Sequence, residues 1–96
     1  MGMVDIFEDL CLDAEAEGNR DLWLKAAAAA LIIALRKTAK ARAAYWTEEA
    51  VRCIASADPE AEEEFQGLLQ YSPWRALDEV VEAFERKYFT LDEVLD

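Results

Sequence analysis

Residues 22–35 read LWLKAAAAALIIAL, fourteen positions with a single charge, at Lys25. Ala, Leu and Lys are strong helix formers, and no Gly or Pro interrupts the run. A surface helix carries a polar stripe along one side; Ala26 to Leu35 has none and is apolar all round. Such a helix is expected to be enclosed by other helices. The five consecutive alanines, Ala26 to Ala30, suit that position, because small side chains let neighbouring backbones come close. The stretch is too short to cross a bilayer, which takes about 20 predominantly apolar residues. This holds even though Arg36, Lys37, Lys40 and Arg42 follow it in the manner of a stop-transfer flank. It also begins after seven acids, whereas a signal peptide opens on basic residues. The expected compartment is therefore the cytoplasm, with no membrane partner.

Working outward from this strut, Asn19 is placed to cap the helix and Asp21 lies in its first turn, favourable for the helix dipole. With no breaker before residue 44, the central apolar helix is predicted over about 20–44, its cations near the C-terminal end. Upstream, Met3, Phe7, Leu10 and Ala14 recur at helical spacing, predicting a first helix over about Val4 to Glu17, ended by Gly18. Downstream, Thr47 is expected to cap a third, short helix that ends near Ala57, with Trp46 stapled onto Val51. Asp58-Pro59 and Ser72-Pro73 each read as a cap followed by proline in the first turn, opening a fourth and a fifth helix. Gly67 inside the fourth is expected to mark close packing against a neighbour. Trp74, Leu77, Val81, Phe84 and Tyr88 give the fifth its apolar face, and Glu82 can pair with Arg86 four residues on. Thr90 and Glu93 suggest one last helical turn. The fold class is thus all-α, a compact bundle of five to six helices forming a single domain over residues 1–96.

Composition removes most chemistry. The chain has no histidine, hence neither the commonest general base nor the commonest metal ligand. Ser56 and Ser72 have no base to activate them. Cys11 and Cys53 are isolated, without CxxC spacing, and read as free thiols behaving as small apolar residues. Asp58, Glu60, Glu62 and Glu64 alternate somewhat like a calcium loop, but Pro59 follows the first acid and Glu63 stands where a glycine is required. No catalytic residue, metal or cofactor is therefore expected, and the chain is read as a non-enzyme.

What remains is the charge. Twenty-one acids face ten bases, a net charge of −11. Such a balance repels nucleic acid as a whole, and it provides solubility in any case. The acids also fall in rows at helical spacing: Asp5, Asp9, Asp13 and Glu17; Glu60, Glu63 and Glu64; Asp78, Glu82 and Glu85. Carboxylates three or four apart on a helix sit about 5–6 Å from one another at Cβ, a repeat comparable to that of phosphates along a strand. In being short, acidic and without catalytic residues, the chain resembles the small phage-encoded inhibitors of the anti-CRISPR and anti-restriction type. The likeness is one of general character and carries no motif. It implies a non-enzymatic inhibitor in the host cytoplasm, a monomer or small homo-oligomer, whose acidic face engages the basic nucleic-acid-binding surface of a larger complex. The alternative is an adaptor or antitoxin-type module that binds a partner through an apolar groove, the acids serving solubility, with Tyr45, Trp46 and Tyr71 as exposed aromatic candidates.

Overall fold

Nine consecutive residues, Ala26 to Ala34, are buried on every side of one helix, and the remaining helices are arranged to bury them. The computed structural model describes residues 2–70 and 72–95, the side chain of Leu95 excepted. Among them are six α-helices and no strand: α1 (Met3–Glu17), α2 (Arg20–Arg36), α3 (Lys40–Ala57), α4 (Glu62–Leu68), α5 (Pro73–Lys87) and α6 (Asp92–Leu95), with a 3-10 turn at Pro59–Ala61 before α4. The all-α bundle expected from the sequence is what forms. Its Cα radius of gyration is 12.1 Å and its extents are 34 × 32 × 19 Å. The thin dimension corresponds to about two helix diameters.

The α1–α2 turn follows local chemistry. Gly18 adopts the left-handed conformation (φ 59°, ψ 37°) that ends α1. Asn19 Oδ1 then accepts from the amides of Asp21 (2.9 Å) and Leu22 (3.3 Å), capping α2. The turn reverses the chain, so α1 lies antiparallel along α2.

The central helix is shorter than predicted. It stops at Arg36, not near residue 44; Lys37 is extended (φ −87°, ψ 134°), and α3 starts three residues later at Lys40. No residue type marks the break. Continuing to 44 would have carried the α3 residues Ala43, Thr47, Ala50, Val51 and Ile54, all now buried, away from the core. Folding α3 back on α2 buries them, and packing outweighs the modest propensity of RKTAKAR for helix. Thr47 consequently sits inside α3 rather than at its start. It is fully buried, and its hydroxyl donates to the Ala43 carbonyl at 2.7 Å. Trp46 does not staple Val51 across a helix start; it packs edge-on against Phe7 of α1, ring centroids 5.2 Å apart.

Asp58 and Ser72 do precede Pro59 and Pro73 at the predicted positions, but neither side chain caps its helix. Gly67 has nothing within 4 Å of where a Cβ would be, so close packing does not explain it. On α5, Leu77 and Phe84 are buried together with Ala76, Val80 and Ala83, while Trp74, Val81 and Tyr88 are half-buried beside them. Arg86 pairs with Glu82 at 3.5 Å. Because Tyr88 reaches Asp58 at one end and Lys40 reaches Trp74 at the other, α5 runs parallel to α3.

Candidate interaction surface

The three acidic rows do not share one environment. Asp5, Asp9, Asp13 and Glu17 are all exposed along α1, and among the described residues none takes part in an ion pair. In the second row Glu60 and Glu63 are exposed and unpaired, while Glu64 accepts from Lys87 Nζ at 2.8 Å. In the third, Asp78 is exposed, Glu82 is held by Arg86, and Glu85 is half-buried with its carboxylate accepting from the Leu91 amide at 2.8 Å. Glu85 thus anchors the connection to α6 and is a structural residue. The second and third rows are partly used by the fold. The first is free.

The first row also borders an apolar residue whose place the sequence reading missed. Leu12 is 65% exposed, the most exposed large hydrophobic side chain of the described residues. At 3.6 residues per turn it lies, with exposed Ala16 four residues on, in the middle of the outer face of α1. Asp5, Asp9 and Asp13 flank it on one side, Glu8 and Glu15 on the other. A helical projection of α1 already places Leu12 opposite Ala14, which was the available signal. Beside Leu12 runs an open groove of about 440 Å³ lined by Phe7, Cys11, Trp23, Cys53 and Arg52 among others. An apolar centre with a charged rim is the usual anatomy of a protein-binding patch.

The two thiols of the groove are held protonated. Cys11 and Cys53 are free thiols with their sulfurs 4.0 Å apart. Burial pushes the Cys53 thiol far up, with the neighbouring Cys11 adding to it, and burial likewise raises Cys11. Neither supplies a thiolate near neutral pH, and thiols are nucleophilic as thiolates. The larger cleft, about 690 Å³, lies just past the C-terminal end of α3 and is lined by Arg20, Lys25, Asp58, Lys87 and Tyr88 among others. There Tyr88 donates to Asp58 at 2.9 Å, and Arg20 approaches both Asp58 (3.8 Å) and the Tyr88 ring (5.9 Å to its centroid). Burial, then the bond to Asp58, raises the Tyr88 hydroxyl pKa. The three groups satisfy one another and tie α2, α3 and α5 together. Among the described residues no cluster of three His, Cys, Asp or Glu side chains is placed to hold a metal ion. No helix of the described residues is long and apolar enough to cross a membrane.

Of the aromatic candidates, Tyr45 is 55% exposed, Trp46 is half-buried between Phe7 and Tyr45, and Tyr71 lies outside the described residues. No protein-family model, curated protein or solved structure matches the chain.

Proposed function

We propose that this chain is a non-enzymatic, protein-binding inhibitor, of the kind exemplified by anti-CRISPR and anti-restriction proteins, that places its α1 face on the basic nucleic-acid-binding surface of a larger complex. One observation carries the reading: Asp5, Asp9, Asp13 and Glu17 are exposed, make no ion pair among the described residues, and run beside an exposed Leu12. Four successive carboxylates at i+4 steps of about 6 Å span about 18 Å of helix, enough to follow a Lys/Arg groove. Neutralisation of Asp5, Asp9 and Asp13 to Asn tests it. The partner captured from a host lysate should bind the variant with a slower on-rate, the loss being greatest at low salt, since interfacial charge acts mainly on association. The captured partner should also lose affinity for its DNA or RNA when wild-type protein is bound. Unchanged binding by the neutralised protein refutes the reading.

The groove beside Leu12 favours a second reading, an adaptor that docks an apolar segment there. Ionic strength separates the two: apolar docking persists where paired surface charges are screened.

A further inference from the structure

The ten cations are not spread over the molecule. From Leu22 to Thr47 there is no acid at all, and the stretch contains Lys25, Arg36, Lys37, Lys40 and Arg42. The fold bends this stretch sharply at Lys37–Ala39, so that Arg36 and Lys37 end α2 while Lys40 and Arg42 begin α3. The start of α5 is brought to the same end of the bundle. Lys40 Nζ lies 4.4 Å from the centroid of the Trp74 ring, and Arg75 Cζ lies 5.3 Å from it. Arg36, Lys37, Lys40, Arg42 and Arg75 therefore share one end, and among the described residues none of them pairs with a carboxylate. The four ion pairs among the described residues use Arg20, Arg52, Arg86 and Lys87 instead.

Folding accounts for only part of this arrangement: Arg36 in the last turn of α2 suits the helix dipole, whereas the cations at the starts of α3 and α5 do not. The first turn of α3 contains cations and no acid, and its N-cap, Ala39, offers no side-chain acceptor. Helix N-termini are stabilised by negative charge and disfavour positive charge. In a chain with twice as many acids as bases, a locally unfavourable choice repeated at one end points to a partner. The α5 N-terminus beside it also lacks a side-chain cap.

From this end we infer a second interaction surface, at the α2–α3 bend and the start of α5, that takes the phosphate backbone of a nucleic-acid strand. Net charge does not forbid it. The screening length is about 8 Å at physiological ionic strength, well short of the 34 × 32 Å extents over which the charge is distributed. A strand at this end therefore meets five cations, against which stand Glu79, lining the same cleft as Trp74 and Arg75, and Asp5 in the first turn of α1. Three of the five are arginines, suited to phosphate, and exposed Tyr45 lies within two turns of the bend as a stacking platform. An anionic bilayer is the weaker match, since Leu35 is the one large aliphatic side chain in residues 35–42 to insert. The inference deepens the proposed function by giving the inhibitor two contacts of opposite sign. The acidic row meets the basic groove, and the basic end meets a strand leaving it.

The isolated protein tests it without the larger complex. A fluorescein-labelled oligothymidylate of about 20 nucleotides serves as probe in fluorescence anisotropy at low salt. Wild type should bind, with log affinity falling against log salt at a slope of about −3.5 if about five phosphates are met. Lys37→Glu with Lys40→Glu should lower affinity at least tenfold, and Arg36→Gln with Arg42→Gln should do so in a background that leaves the Trp74 contact intact. Asp5→Asn with Asp9→Asn and Asp13→Asn should bind the probe as well as wild type or better, so failure here and failure of the α1 reading are separable. Circular dichroism melts confirm that each variant is folded. Absence of binding at low salt overturns the inference, as does binding that survives both sets of basic substitutions. Binding to phosphatidylserine vesicles without binding to the oligonucleotide also overturns it.

Discussion

Leu31 and Leu35 belong to the same apolar run, four residues apart on the same helix, and the fold treats them oppositely. Leu31 is fully buried among the helices packed on α2, whereas Leu35 is 49% exposed in the last turn before the bend. Truncating Leu31 to Ala removes buried methyl and methylene groups and leaves a cavity in the middle of the core. The loss should be about 3–5 kcal/mol. With about 2.1 cal/mol/K of unfolding entropy per residue, 96 residues give about 0.2 kcal/mol/K, so even 3 kcal/mol lowers the melting temperature by about 15 °C. Leu35→Ala removes a half-exposed side chain next to solvent and should lower it by less than about 5 °C. Leu31→Asp should prevent folding, since an unpaired buried charge exceeds the few-kcal/mol margin of so small a domain. Leu35→Asp should fold, with Arg36 and Lys37 beside it. Thermal melts followed at 222 nm distinguish the two positions. Equal shifts for the two alanine variants, or a Leu31→Ala melt within about 5 °C of wild type, would refute the enclosed position of α2.

Two further expectations follow from particular groups. Gly67 sits inside α4 with open space around it, so Gly67→Ala should stabilise the domain by about 0.5–1 kcal/mol, seen as a higher midpoint in urea; a lower midpoint contradicts the unhindered site. Stability should fall as pH rises above the ordinary thiol pKa of 9.0, because the unfolded chain ionises Cys53 there while burial keeps the folded thiol protonated. Below that pH both states hold the proton and the group contributes no slope. Melts between pH 8 and about 10 should therefore decline less steeply for Cys53→Ala than for wild type, and identical slopes would dismiss the role of the thiol.

Much of the fold was legible in residue spacing. Apolar periodicity located the α1 and α5 faces, Gly18 and Asn19 marked a reversal, and the all-round apolar character of Ala26–Ala34 announced a helix with no side to solvent. These features depend on local energies and on the helical repeat, which neighbouring residues specify by themselves. The absence of histidine likewise limited the chemistry before any coordinate was known. Where α2 stops was not legible. Lys37–Ala39 contains no glycine or proline, and the bend forms because α3 gains more by packing on α2 than by continuing it. Thr47 therefore moved from a predicted cap to a buried position inside a helix, its hydroxyl satisfied by Ala43.

The candidate surfaces divide the same way. Spacing alone identified three acidic rows as equals, since i+4 intervals say which residues share a helix face but not what lies opposite that face. Tertiary packing brought Lys87 to Glu64 and the Leu91 amide to Glu85, and left Asp5, Asp9, Asp13 and Glu17 free. A net charge of −11 is a property of the chain. Its segregation, with five cations that make no ion pair among the described residues gathered at one end, comes from the bend after Arg36 and the parallel run of α3 and α5. Charge adds along a sequence regardless of order, but over a screening length of about 8 Å only the residues that folding has brought together act as one.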